Sequence, residues 1–236
     1  MLSYYYGYFD PTYILIIIAA IFSLLAQAKV STTFNRYSKI HSHRGMTGAQ
    51  VAEKILRSKG IYDVRIEKVS GKLTDHYDPR NHVLRLSSST YDNTSVAAIG
   101  VAAHESGHAI QHNQGYLPLN IRSVIAPVAQ IGSYASWFLI LIGLFFTTQT
   151  GNVIIQIGIW CFVAVVAFQV ITLPVEINAS RKALKILNED GILVGEEQTG
   201  ARKVLTAAAM TYIAAMATAI LQLLRLILLF GGRRRD

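Results

Sequence analysis

The chain has 236 residues, 52% of them apolar and only 15% charged, with a single Cys. That balance excludes an ordinary soluble domain, and one cysteine excludes both a disulfide framework and a cysteine-built metal site, so any metal must be held by His and carboxylate. The net charge of +8 sits beside apolar runs and carries no nucleic-acid motif, which points to anionic lipid rather than nucleic acid as the partner.

The first apolar stretch, Tyr13 to Ala28, is just long enough to approach the width of a hydrocarbon core. Its end, Ala26-Gln27-Ala28, resembles a signal-peptidase site, yet no positive charge precedes it and Lys29 follows, so a retained anchor with its N-terminus outside is expected. Thr47 to Ser58 has helical spacing, with Val51, Ile55 and Leu56 on one side and Gly60 placed to end it. Val64 to Val69 alternates apolar and charged residues, and His82 to Leu86 is apolar with Arg85 interposed. These predict two strands separated by a turn over Asp75 to Asn81.

The most informative run comes next. His104, Glu105 and His108 spell His-Glu-x-x-His, preceded by the small, Pro-free segment Ser95 to Ala103 that suits a buried helix. Residues four apart share a helix face, so the two imidazoles can grip one ion while Glu105 stands beside the water that the ion activates. With seven His and seven Glu in the chain, the pattern arises by accident in about six such chains per thousand. The expected chemistry is zinc-dependent hydrolysis.

Three further apolar stretches follow, Val124 to Phe146, Val153 to Leu173 and Val204 to Phe230, giving four expected membrane helices. Thirteen Lys and Arg lie between Lys29 and Arg122 and five between Glu176 and Lys203, whereas Thr147 to Asn152 carries no charge. By the positive-inside rule both polar segments are cytoplasmic. The same count leaves the tail Gly231 to Asp236 outside unless the last stretch fails to cross. Within that stretch Arg225 must face the bundle or reach the headgroups, and Ala207, Thr211, Ala215 and Ala219 form a small-residue stripe suited to helix packing.

A catalytic zinc with two His needs a third protein ligand. His112 stands ~12 Å from His104 along a straight helix, too far to converge, and Gln111 and Gln114 occupy the positions where a longer motif would need Gly and His. Glu176, in Leu173-Pro-Val-Glu-Ile-Asn-Ala-Ser180, is the better candidate: Pro174 suits the first turn of a helix that starts as the third apolar run stops. A favourable place in the helix dipole is its plainer explanation. His76, Tyr77, Arg80 and Arg181 are candidate donors to a developing oxyanion, with a hydrogen-bonded turn or a solvated charge as the alternative for each. His41, His43 and His82 read as surface or turn histidines.

His104-Glu-Ser-Gly-His-Ala-Ile-Gln-His112, Leu73-Thr-Asp-His-Tyr-Asp-Pro-Arg80 and Leu173 to Ser180 together resemble the bacterial membrane neutral zinc metallopeptidases of the YugP type, over nearly the whole chain. Those are distantly similar to the HtpX-like membrane proteases, and the resemblance implies that Glu176 is the third zinc ligand. Related soluble enzymes often carry an Asp four residues after this Glu to steady the first His. Ser180 stands there in this chain, which implies weaker orientation or help from elsewhere, such as Asn178.

The resulting expectation is an α-helical membrane protein of about four transmembrane helices, with a small α+β cytoplasmic domain of zincin-like metalloprotease type. Its parts would be an anchor (1–28), a cytoplasmic segment with the strands and metal helix (29–122), a transmembrane hairpin (124–173), a helix with the third ligand (174–203), and a membrane helix with a basic tail (204–236). The expected location is the bacterial inner or plasma membrane, crossed several times. The expected activity is zinc endopeptidase cleavage of membrane or membrane-proximal polypeptides at the cytoplasmic surface, with Glu105 catalytic and His104, His108 and Glu176 on Zn2+. The strand His82 to Leu86 would pair edge to edge with an extended substrate. A non-catalytic membrane protein tied together by structural zinc is the alternative.

Overall fold

The computed structural model describes residues 10–146 and 149–231; the tail beyond Gly231 and the N-terminus before Asp10, on which two of the orientation expectations fall, lie outside the described residues. In chain order the elements are α1 (Tyr13–Tyr37), α2 (Gly48–Ser58), β1 (Arg65–Val69), β2 (His76–Asp78), β3 (Val83–Ser87), α3 (Val96–Asn113), α4 (Leu117–Phe145), α5 (Gln149–Glu189) and α6 (Glu196–Phe230). Among the described residues four helices, α1, α4, α5 and α6, are long and apolar enough to cross a membrane.

Those helices outrun their apolar stretches, and α5 shows why. Pro174 lies inside it rather than opening a new helix. A proline removes one backbone donor, a loss that packing can offset in long membrane helices. Here Val175, Ala179, Ala183 and Leu187, one turn apart, are all fully buried, so one continuous face holds the helix together past the proline.

The chain forms two compact units. One comprises Ala26–Asn120 and Pro174–Thr211. Its core is a single cluster that includes Val51, Ile55 and Leu56 of α2, Leu84 and Leu86 of β3, Ile99 and Ala103 of α3, Leu187 of α5 and Leu205 of α6. α2 starts at a reciprocal cap: the Thr47 hydroxyl accepts from Gln50 N while the Gln50 side chain accepts from Thr47 N.

The sheet has three strands in the order β1-β3-β2, with β1 parallel and β2 antiparallel to β3. The expected turn over Asp75 to Asn81 thus contains a short strand. That strand is pinned by Asp78, which accepts from Arg80 N, Asn81 N, Asn81 Nδ2 and, at 2.9 Å, Arg85 Nη1. The expected pairing of a substrate with His82 to Leu86 is also corrected: β3 is the central strand, bonded on both sides, because its apolar residues Val83, Leu84 and Leu86 are all fully buried.

The other unit comprises the chain up to Leu25, Ile121–Leu173 and the chain from Tyr212 onward. Ile140, Ile155, Phe162 and Leu226 pack together inside it. Outside, Leu24 is 71%, Val124 72%, Phe138 67% and Trp160 72% exposed, an apolar surface that calls for lipid rather than water. Arg225 faces inward: its Nε donates to Thr12 Oγ1, its Nη2 reaches Asp10 Oδ2 at 3.4 Å, and its guanidinium lies over the Tyr13 ring. Pairing removes most of the cost of a charge in an apolar stretch.

Candidate metal centre

α3 begins at Ser95, whose side chain accepts from Ala98 N. From there the helix buries nearly every residue to Gln111, and the four-residue spacing sets His104 and His108 one above the other, ring centroids 4.8 Å apart and nearly perpendicular. Both Nε2 atoms face the same oxygen of a side chain on α5: Glu176 Oε2 lies 3.1 Å from His104 Nε2 and 3.5 Å from His108 Nε2. The three ligand atoms all fall within 4.8 Å of one another, the one such cluster among the described residues. Two imidazole nitrogens and a carboxylate oxygen suit a divalent zinc ion with a position left open.

A glycine allows this meeting of helices. A Cβ on Gly107, between the two histidines, would stand 2.7 Å from the backbone oxygen of Ala179 and 3.3 Å from its carbonyl carbon. With hydrogen in that place, α5 lies directly against α3 and brings Glu176 to the imidazoles.

The far nitrogens are also engaged. His108 Nδ1 lies 3.0 Å from Gln111 Oε1, while Gln111 Nε2 donates to Val175 O and Asn178 Oδ1, each at 2.9 Å. Both protons of that amide are taken up by acceptors on α5, so its oxygen must accept from His108 Nδ1–H. This sets the tautomer and leaves the Nε2 lone pair for a metal. His104 Nδ1 is 3.1 Å from Ser180 Oγ. The hydroxyl at the position where an Asp was missed therefore does reach the first histidine, and Asn178 supports Gln111 rather than a histidine directly. Gln111 and Gly107 escaped the sequence reading. A Gln one turn beyond the second motif histidine on an otherwise small, apolar helix was the available signal for the first.

Glu105 is buried beside this cluster. Burial pushes its carboxyl up to about 7, with the neighbouring His104 drawing it partly back and the negative charges of Glu176 and Asp75 adding to the rise. Such a group can both take and give a proton near neutrality. Asp75 is held by Ser87, whose N and Oγ donate to its two oxygens at 2.7 and 2.9 Å.

The candidate oxyanion donors separate. His76 is near enough for its charge to act on Glu105. Tyr77, whose phenol burial pushes up to about 12, is instead hydrogen-bonded to His112 Nδ1 at 2.9 Å. Arg80 and Arg181 are exposed. The remaining histidines have other partners: His41 with Thr94, His43 with Glu197 and His82 with Asp63.

Over residues 12–231 the chain matches the protein family described as "Putative neutral zinc metallopeptidase". It is 44% identical over 225 residues, 95% of this chain and 99% of the other, to "Putative membrane protease YugP" of Bacillus subtilis (strain 168). No solved structure matches the chain.

Proposed function

The chain belongs to this family of neutral zinc metallopeptidases, and from that premise we propose that it is a membrane endopeptidase whose zinc is held by His104 Nε2, His108 Nε2 and the Glu176 carboxylate. The observation that carries this reading is the convergence of those three groups next to a buried Glu105. When bound, zinc acidifies a water molecule and polarises the scissile carbonyl. Glu105 accepts the proton of the attacking water on its carboxylate and delivers it to the leaving amine, for which a carboxyl shifted toward neutrality is suited. Gln111 and Ser180 keep both imidazoles turned with Nε2 inward.

Backbone recognition falls to the outer edge of β2, since β3 is paired on both sides and β2 is the edge strand that packs against the metal helix α3. Peptide in an extended conformation would add to β2 with little dependence on side chains. The thirteen Lys and Arg between Lys29 and Arg122 support a cytoplasmic location for the metal helix, and the apolar helices support substrates in or near the bilayer.

Glu105→Gln tests the reading in detergent-purified protein. The variant should keep its zinc yet lose peptide cleavage by at least about a hundredfold, and a chelator should abolish wild-type cleavage. Cleavage by Glu105→Gln at the wild-type rate would leave zinc with a structural role only.

A further inference from the structure

Away from the metal cluster, α1 and α6 enclose a cleft of about 500 Å³. Lys29 and Arg36 of α1 and Arg202 and Lys203 of α6 line it, with no carboxylate in its wall. Among the described residues none of the four cations forms an ion pair; Arg36 only lies over the ring of Tyr37. Glu197, close by in sequence, is committed to His43 N and Nδ1. Four unneutralised positive charges facing one another across a cleft repel, and that repulsion is relieved by an anion between them.

The position of the cleft along its two helices indicates which anion. Lys29 is the first charge after the apolar run of α1, and Arg202 and Lys203 immediately precede the apolar run of α6. Both helices therefore change from polar to apolar here, at the level where headgroups lie. The floor is amphipathic: Thr33 and Thr206 offer hydroxyls, while Ala207 and Met210 offer apolar surface for the first part of an acyl chain. A freely diffusing phosphate would have no use for that apolar floor.

We propose that this cleft binds the phosphate headgroup of an anionic phospholipid. The site does not depend on the metal chemistry and makes lipid a specific ligand of the polar unit rather than only a solvent for the apolar helices. Arg36 and Arg202, one from each helix, clamp the phosphate, since guanidinium groups match its paired oxygens. Lys29 and Lys203 add charge.

The test uses the full chain in a zwitterionic detergent, titrated with dioctanoyl phosphatidylglycerol, dioctanoyl phosphatidylcholine or inorganic phosphate, with binding followed by calorimetry. The double variant Arg36→Gln/Arg202→Gln is compared with Lys54→Gln/Lys59→Gln, which removes equal charge from α2 and its C-terminal cap, outside the cleft. Zinc content and melting temperature check that both remain folded. Wild type should bind phosphatidylglycerol saturably and phosphatidylcholine far more weakly. The cleft variant should lose about thirtyfold in affinity and the α2 variant less than about threefold. Equal losses in the two variants, or no preference for phosphatidylglycerol over phosphatidylcholine, would overturn the proposal in favour of unspecific attraction. Saturable binding of inorganic phosphate with the same dependence on Arg36 and Arg202 would replace the lipid with a free anion.

Discussion

Adding one methyl group at Gly107 perturbs the metal centre without touching any ligand. In Gly107→Ala the new Cβ would stand 2.7 Å from Ala179 O, whereas ordinary contact begins near 3.4 Å, so α3 and α5 must separate locally by about 0.7 Å. Both helices are buried where they meet, and the displacement is passed to Glu176, one turn before Ala179 on the same buried face. Metal–ligand distances tolerate only about 0.2 Å. Zinc affinity should therefore fall at least about tenfold, in the range seen when a ligand's support is lost, and overpacking should lower stability by about 1–3 kcal/mol. The control lies two turns earlier on the same helix: a Cβ on Gly100 would meet Ala201 Cβ at 3.6 Å, an ordinary contact. Gly100→Ala should bind zinc as wild type does and gain up to about 1 kcal/mol from helix propensity. Competition for zinc against a chromophoric chelator, with thermal melts in chelator alone, measures both quantities. Wild-type zinc affinity in Gly107→Ala would refute the claim that close approach of α3 and α5 builds the site.

Gln111→Leu removes the acceptor for His108 Nδ1–H and the donor to Asn178 Oδ1, so zinc affinity should fall about 10–100-fold by the same titration, with about 1–3 kcal/mol of stability lost for the acceptors left buried. Asp78, held well below its model-compound value of 3.8 by hydrogen bonds from Asn81 and Arg85, stabilises the fold above that value and loses this contribution as pH falls through its lower folded value. Melting temperature should therefore decline as pH is taken below about 4, and Asp78→Asn should flatten that decline; identical slopes would show that Asp78 is not the titrating group.

Much of the centre was legible in the amino-acid sequence. His104, Glu105 and His108 are neighbours along one helix, and a fixed helical rise places them together wherever the helix lies. The four apolar stretches were equally plain, since crossing a hydrocarbon core demands length and composition that no loop supplies. What the sequence obscured were features decided by neighbours in space. Pro174 read as a helix start because local preference favours it there, but the buried face running from Val175 to Leu187 kept α5 continuous. Residues 76–78 read as part of a turn because Asp and Asn flank them; pairing with β3 made them a strand, and that pairing put β3 in the middle of the sheet and left β1 and β2 at its edges.

The support for the ligands shows the same division. Ser180 and Gln111 are ordinary polar residues in sequence, 69 positions apart, and only the packing of α5 on α3 turns each toward a histidine. The sequence by itself determined the chemistry within reach of one helix, the motif and its spacing, along with the apolar segments that call for a membrane, because both depend on local period and composition. Glu176 was a candidate from the sequence, but only the tertiary structure showed how it meets the imidazoles, with Gly107 as the contact that admits it and Gln111 as the link to α5, because such contacts depend on how close two helices can come and not on either helix alone.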